Sequence, residues 1–253
     1  MRVFAISDLH VDYEINARWI VSLSRRDYQD DVLIVAGDVS DSLARLEWAL
    51  GELAERVRKL LFVPGNHELW VIRERSPKTS VEKFAEVCAI VERSGGSMGI
   101  FRAKGLSVIP LLGWYDYSFG QPTRELREVW MDFRACRWPN GLEADQIAKY
   151  FVGLNPSPLD LGNETIITFS HFLPRIDVMP SFIPKEKQLW YPVLGQASLD
   201  RQIRAWRSTI HVYGHSHVNR HVRFGGIAYV NNALGYPQEI TMTSQQLLCI
   251  YET

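Results

Sequence analysis

Short apolar runs that break off in polar residues recur along the chain. Arg2 to Ser7 runs into Asp8-Leu9-His10, Val32 to Ala36 into Gly37-Asp38, and Leu60 to Val63 into Pro64-Gly65-Asn66-His67-Glu68. Thr165 to Phe169 likewise runs into Ser170-His171, and Ile210 to Tyr213 into Gly214-His215-Ser216-His217. Runs this short and this rich in β-branched residues predict buried strands, each with polar groups at its carboxyl end. Between them the apolar period changes. From Ser42 to Lys59, Leu43, Leu46, Ala49, Leu50, Leu53 and Val57 share one face of a helix, with Asp41 placed to cap it. A second helix is predicted over Val81 to Arg93, where Phe84, Val87, Cys88 and Val91 form one stripe, Ser80 precedes it as a cap and Gly95-Gly96 stops it. From Phe224 to Tyr251 the pattern is of short strands with turns at Gly225-Gly226 and around Pro237, which brings antiparallel pairing into the sheet. The sum is an α/β fold with a mixed sheet.

Composition narrows the class. With 28 Lys+Arg against 29 Asp+Glu, a net charge of −1, and 46% hydrophobic residues, the chain is neither disordered nor a binder of the phosphate backbone. No duplex nucleic acid is expected as a partner. Cys88, Cys136 and Cys249 are odd in number and far apart, so neither a disulfide framework nor a structural zinc cluster is indicated, and a reducing, cytoplasmic compartment is expected. Val3 to Ile6 is too short for the apolar part of a secretion signal, and runs such as Val32 to Ala36 are far below the ~18 residues that span a bilayer. No linker interrupts residues 1–253, which are read as one domain. Nine of the twelve prolines, with Trp114, Trp130, Trp138 and Trp190, fall between Pro110 and Pro192, so loop insertions over the site are expected within about 110–192.

Chemistry enters at the strand ends. Five of the seven histidines (His10, His67, His171, His215, His217) lie there, beside Asp8, Asp38 and Asn66. Any one of them alone reads as a hydrogen-bonded edge residue, and Asp8 or Asp38 alone as a helix cap. Their joint occurrence at the same end of so many strands does not. In order, Asp8-Leu9-His10, Gly37-Asp38-Val39-Ser40-Asp41, Gly65-Asn66-His67-Glu68, His171 and Gly214-His215-Ser216-His217 reproduce D-x-H, G-D, G-N-H-[DE], a lone His and G-H-x-H. The chain thereby resembles the calcineurin-like metallophosphoesterase superfamily over most of its length.

That resemblance implies two facing mixed β-sheets flanked by helices. It also implies hydrolysis of a phosphoester by a hydroxide bridging two metal ions. By the same resemblance Asp38 bridges the ions, Asp8, His10 and His217 complete one, and Asn66, His171 and His215 the other. Imidazole, carboxylate and amide ligands suit divalent or mixed-valence transition metals, Mn, Fe, Zn, Ni or Co, rather than an all-oxygen cage. In the family, the His of G-N-H protonates the leaving oxygen, which assigns His67 as the catalytic acid. Asp41 matches the position that holds this His in phosphoprotein phosphatases, and that role and the helix cap both stand open.

One departure bears on substrate. The phosphoprotein phosphatases carry Arg-Gly after that Asp, and this chain carries Ser42-Leu43. A small or nucleotide-like phosphodiester is therefore favoured, with a phosphomonoesterase or nucleotide pyrophosphatase as the alternative and a non-catalytic interaction scaffold as the rival of another class. The scaffold is disfavoured because every ligand position is intact. Trp70, Trp114-Tyr115-Asp116-Tyr117 and Trp190-Tyr191 either stack a base or pack the loops. Arg175, Lys185 and Lys187 either meet substrate phosphate or are solvated, while His211 and His221 read as structural. Gly65 and Gly214 read as glycines required by tight turns beside the site.

Overall fold

The computed structural model describes residues 1–73, 77–103, 105–162, 164–239 and 241–253, and in them the apolar runs form strands with the expected starts and ends to within a residue. In chain order the strands are β1 (Arg2–Ile6), β2 (Val32–Val35), β3 (Lys59–Phe62), β4 (Gly96–Ser97), β5 (Phe101–Ala103), β6 (Leu106–Pro110), β7 (Thr165–Phe169), β8 (Ile210–Tyr213), β9 (Arg220–Phe224), β10 (Ile227–Asn231) and β11 (Leu248–Glu252). The α-helices are α1 (Glu14–Ser22), α2 (Leu43–Ala54), α3 (Ser80–Arg93), α4 (Arg124–Val129), α5 (Asp132–Ala135), α6 (Ala144–Gly153) and α7 (Ala197–Ala205).

Two sheets result, in the orders β11-β1-β2-β3-β4 and β5-β6-β7-β8-β10-β9. Their inner strands pair in parallel, and antiparallel pairing enters at the edges through β11, β5 and β9. Alternation along each strand decides the layering, because successive side chains leave opposite faces. Val3, Ala5, Val32, Ile34 and Leu61 meet Leu106, Val108, Ile167, Phe169 and Val212 between the sheets. The intervening residues Phe4, Ile6, Leu33, Val35 and Leu60 pack outward against α1, α2 and α3. On the far side, Ile109, Ile166, Tyr213 and Tyr229 are covered by Leu126, Ile147, Phe151, Leu199 and Ile203 of the remaining helices. No helix among the described residues is long and apolar enough to cross a membrane.

Three expectations are corrected. The N-cap of α2 is Ser42, not Asp41, and its side chain makes no capping bond; the Asp41 carboxylate is turned away to Arg73 Nη1, at 3.2 Å. That helix ends at Ala54, so Val57 is buried from the connection into β3 rather than from a helix face. The cap of α3 is Thr79 rather than Ser80, because Thr79 and Glu82 form a reciprocal capping box while Ser80 Oγ donates to the Leu69 carbonyl. The stretch 110–192 is also more regular than its prolines suggest. Besides the expected β7 it holds α4, α5 and α6, the last started by a Glu143–Gln146 capping box and held by Ile147, Ala148 and Phe151 on the second sheet.

Candidate metal centre

Parallel strands bring their carboxyl ends to one edge, and the turns after β1, β2, β3, β7 and β8 converge there. Asp8, His10, Asp38 and His217 form one buried donor group, and Asp38, His171 and His215 a second, each with its donor atoms within 4.8 Å of one another. Asp38 belongs to both. In the first group His217 Nε2 stands 3.2 Å from Asp8 Oδ1 and 3.1 Å from His10 Nε2. In the second, His171 Nε2 stands 3.0 Å from His215 Nδ1, 3.2 Å from Asn66 Oδ1 and 3.5 Å from Asp38 Oδ2. All seven sequence-predicted ligands are thus brought together, and the mix of buried imidazole, carboxylate and amide oxygen fits a pair of metal cations.

The backbone is strained where it presents these groups. Asp8, His10, Asp38, His215 and His217 all adopt positive φ, between 41° and 68°, a region that non-glycine residues enter rarely and at a cost. Such turns aim a side chain back over the strand end. Gly65 is needed for a different reason from the tight turn expected, since its φ is ordinary. A Cβ there would stand 2.1 Å from Asp38 Oδ1 and 2.7 Å from His171 Nε2. Glu68, fully buried, ties the neighbouring turns together by accepting from the backbone N–H of Gly65, Asp38, Val39 and Ser40 at 2.7, 3.0, 2.7 and 3.0 Å.

His67 lies outside both donor groups. Its ring stacks on Trp70 at 3.7 Å, its backbone N–H donates to Asp38 Oδ1 at 3.0 Å, and its Nε2 stands 3.8 Å from Asp38 Oδ2. Asp41 makes no hydrogen bond to His67 among the described contacts. Its carboxylate pairs with Arg73, and burial followed by Asp12 pushes its pKa up against the pull of Arg73, His67 and Lys83.

Three polar groups at the site carry no motif. Asp132 Oδ1 accepts from Asn66 Nδ2 at 2.9 Å and from Trp70 Nε1 at 2.6 Å, while its Oδ2 accepts from Trp130 Nε1 at 2.7 Å. It therefore sets the Asn66 amide so that the oxygen faces His171. Tyr236 stacks on His10 at 4.4 Å, and Glu239 accepts from His217 Nδ1 at 2.6 Å. Of the other aromatics, Trp130 meets His215 edge-on at 5.7 Å and Trp190 lies 5.5 Å from Trp130. Trp114 and Tyr115 are buried in the outer core of the second sheet, which decides for packing over base stacking. Arg175 is occupied by Asp177 and Asp200 and lies over Phe224, whereas Lys185 and Lys187 are exposed. His211 is buried among Thr168, Ser170 and Tyr229, and His221 is exposed on β9.

Electrostatics complete the site. Burial opposes charge on Asp8, but His217 beside it brings its pKa down to about 2. Burial likewise opposes charge on Asp38, and His171 and His67 hold it well below the usual carboxylate range. Burial pulls His171 down, yet Asp38 lifts it to about 9; His217, also pulled down by burial, is lifted by Asp8 and Glu239 to about 10. Burial and neighbouring imidazoles press His10 well down and His215 to about 3. Asp8 and Asp38 are therefore anionic at pH 7, His10 and His215 neutral, and His171 and His217 protonated against the carboxylates, so that cations entering the centre would take the place of the protons on His171 and His217.

The sequence profile of the family described as calcineurin-like phosphoesterase matches residues 1–219. The acyl-carrier-protein phosphodiesterase PptH of Mycobacterium tuberculosis is 26% identical over 263 residues, covering 94% of this chain and 78% of that protein. The crystal structure of phosphopantetheinyl hydrolase PptH from the same organism superimposes with a TM-score of 0.78 at 24% identity, over 95% of this chain and 91% of that one, and shares its fold.

Proposed function

This chain belongs to the calcineurin-like phosphoesterase family and is a metal-dependent phosphoester hydrolase, and from that premise we propose that it cleaves phosphodiesters at the centre around Asp38. The observation that carries the reading is the single carboxylate shared by two buried donor groups, with one imidazole, His67, left outside both but within 3.8 Å of that carboxylate. Asp8, His10, Asp38 and His217 would hold one ion and Asp38, Asn66, His171 and His215 the other, drawn from Mn, Fe, Zn, Ni or Co. A bound pair of such ions supplies Lewis-acid stabilisation of the charge that develops at phosphorus and lowers the pKa of the attacking water.

The residues supply the rest. Asp38 places a negative charge where two cations would otherwise repel each other. Asn66 offers a neutral oxygen, and Asp132 holds its amide in that orientation. His67, stacked on Trp70 and only 13% exposed, is held in place yet reachable, and delivers a proton to the departing oxygen. Asp41, paired with Arg73, lies near enough to His67 for their charges to interact, and in this reading acts on it through charge rather than a bond. The 253 residues work as one domain in this reading, since β11 near the end of the chain pairs with β1 at its start. The free thiols Cys88, Cys136 and Cys249 suit a reducing, cytoplasmic setting.

A diester is preferred over a monoester because the Arg of the protein-phosphatase branch is replaced by Ser42, and because the relative PptH is named a phosphodiesterase. The test is turnover by metal-stripped protein reconstituted with Mn²⁺, on bis-p-nitrophenyl phosphate against p-nitrophenyl phosphate. Metal-dependent turnover that favours the diester is expected. Preference for the monoester would redirect the assignment to a phosphatase, and silence on both with every metal would favour a scaffold. A phosphopantetheinylated carrier protein and a nucleotide diester, compared next, separate the relative's substrate class from a nucleotide-like one.

A further inference from the structure

Three of the proposed ligand imidazoles turn one ring nitrogen into the pocket and the other to an outer oxygen. His171 Nδ1 meets the Ala36 carbonyl at 2.8 Å and His215 Nε2 the Val193 carbonyl at 3.0 Å. His217 Nδ1 meets a carboxylate instead, Glu239 Oε2, at 2.6 Å. The difference matters, because a carbonyl orients an imidazole, whereas a carboxylate also raises its basicity and adds negative charge behind the ion. Glu239 lies beyond the G-H-x-H motif and beyond the 219 residues that the family profile covers.

The same oxygen has a second task. It accepts from the Tyr236 backbone N–H at 2.8 Å, within a turn that Glu239 N closes on the Tyr236 carbonyl at 2.9 Å. That turn lays the Tyr236 ring on His10 and puts its hydroxyl 3.5 Å from His67 Nε2. Gly235, at φ +71°, makes room for it: a Cβ there would stand 2.9 Å from Glu239 Oε2.

We propose that Glu239 is a positioning residue of this centre. Its carboxylate fixes His217 as the Nδ1–H tautomer, keeping the Nε2 lone pair for the cation, and through Tyr236 it holds the aromatic wall over His10 and His67. The inference rests on His217 being a metal ligand, as read above. Replacement of such an outer carboxylate weakens metal binding by about 10- to 100-fold.

The experiment is Mn²⁺ titration by chelator competition of the wild type, E239Q and E239A, with ¹⁵N NMR of the His217 Nδ1–H in the proteins loaded with diamagnetic Zn²⁺. In E239A one of two ions is expected to weaken by about 10- to 100-fold while the other is unchanged, and the His217 Nδ1–H signal is expected to be lost. E239Q, whose amide oxygen still accepts from Nδ1–H, should keep the tautomer and recover part of the affinity. A wild type that binds two ions with the same affinities as both variants would overturn the role of Glu239 alone. A wild type that binds fewer than two ions would overturn the two-ion reading beneath it. Should E239A not fold, E239Q decides: weaker Mn²⁺ binding with Nδ1–H retained supports the role, and unchanged binding removes it.

Discussion

His67 is held by Trp70 on one face and approaches the shared carboxylate Asp38 with Nε2, a placement that suits proton delivery more than metal ligation. His67→Ala should lower turnover of diesters with alkyl leaving groups by about 10²- to 10⁴-fold and that of bis-p-nitrophenyl phosphate far less, since a nitrophenolate departs without a proton. Equal losses on both substrates would take the acid role away from it. His211 is a contrasting case. It is bonded to Thr168 Oγ1 at 2.9 Å and Ser170 Oγ at 3.1 Å, and burial lowers its pKa to about 3, with Asp200 pulling weakly the other way. Between that value and the ~6.5 of an unfolded chain, the unfolded state takes up a proton that the folded state refuses, so this group's contribution is complete above pH ~6.5 and declines as pH falls toward 3. His211→Asn should be less stable at pH 7 by roughly 1–3 kcal/mol, through the partners it strands. The gap should then narrow on acidification by up to ~1.4 kcal/mol per pH unit. Urea melts at pH 7, 5.5 and 4.5 measure this, and a gap that does not change with pH would mean His211 is not buried neutral.

Among the elements, α3 does most to join the core to the site. Lys83, buried on this helix, donates from Nζ to the Asp41 carbonyl at 2.6 Å and also to that of Trp70, so the helix grips the turns on both sides of His67. Its start depends on Thr79, whose side chain accepts from Glu82 N at 3.2 Å while Glu82 returns a bond to Thr79 N at 2.7 Å. Thr79→Ala should cost about 1 kcal/mol in denaturant unfolding, whereas Ser80→Ala tests a bond to Leu69 rather than a cap. The 3.6-residue period made α2 and α3 readable, because one apolar face must meet the sheet. Their ends were less so, since Asp41 and Ser80 offered capping chemistry equal to that of Ser42 and Thr79. Contacts with Arg73 and Leu69 drew the former pair elsewhere.

At the scale of the molecule, the two donor groups depend on how the sheets face each other. Asp8, Asp38 and Asn66 leave the first sheet, and His171, His215 and His217 the second, across a contact that buries Ile34, Leu61, Ile167 and Phe169 completely. Ile167→Ala should lower stability by about 2–5 kcal/mol and should also weaken Mn²⁺ binding, since it loosens the layer that sets the distance between the halves. Loss of stability with unchanged metal affinity would show that the turns alone hold the ligands.

The five strands that lead into the site, helices α2 and α3, and the seven donors were legible because each is a local matter: an apolar run must be buried, and Asp-x-His or Gly-His-x-His keeps its donors within a few residues of one strand end. Which donors fall in one group came from the family resemblance alone, not from any local pattern. Asp38 joins two groups because sheets built from residues far apart in the chain bring His217 and His171 to either side of it. The positive φ of five donor residues, the four backbone bonds to Glu68, and the outer partners Asp132 and Glu239 were hidden from the sequence. A lone acid in a Pro- and Trp-rich stretch, or after a C-terminal turn, looks like any other solvated charge until packing removes the water from around it. Desolvation and orientation belong to the assembled layers, and they turn these side chains from surface residues into parts of the centre.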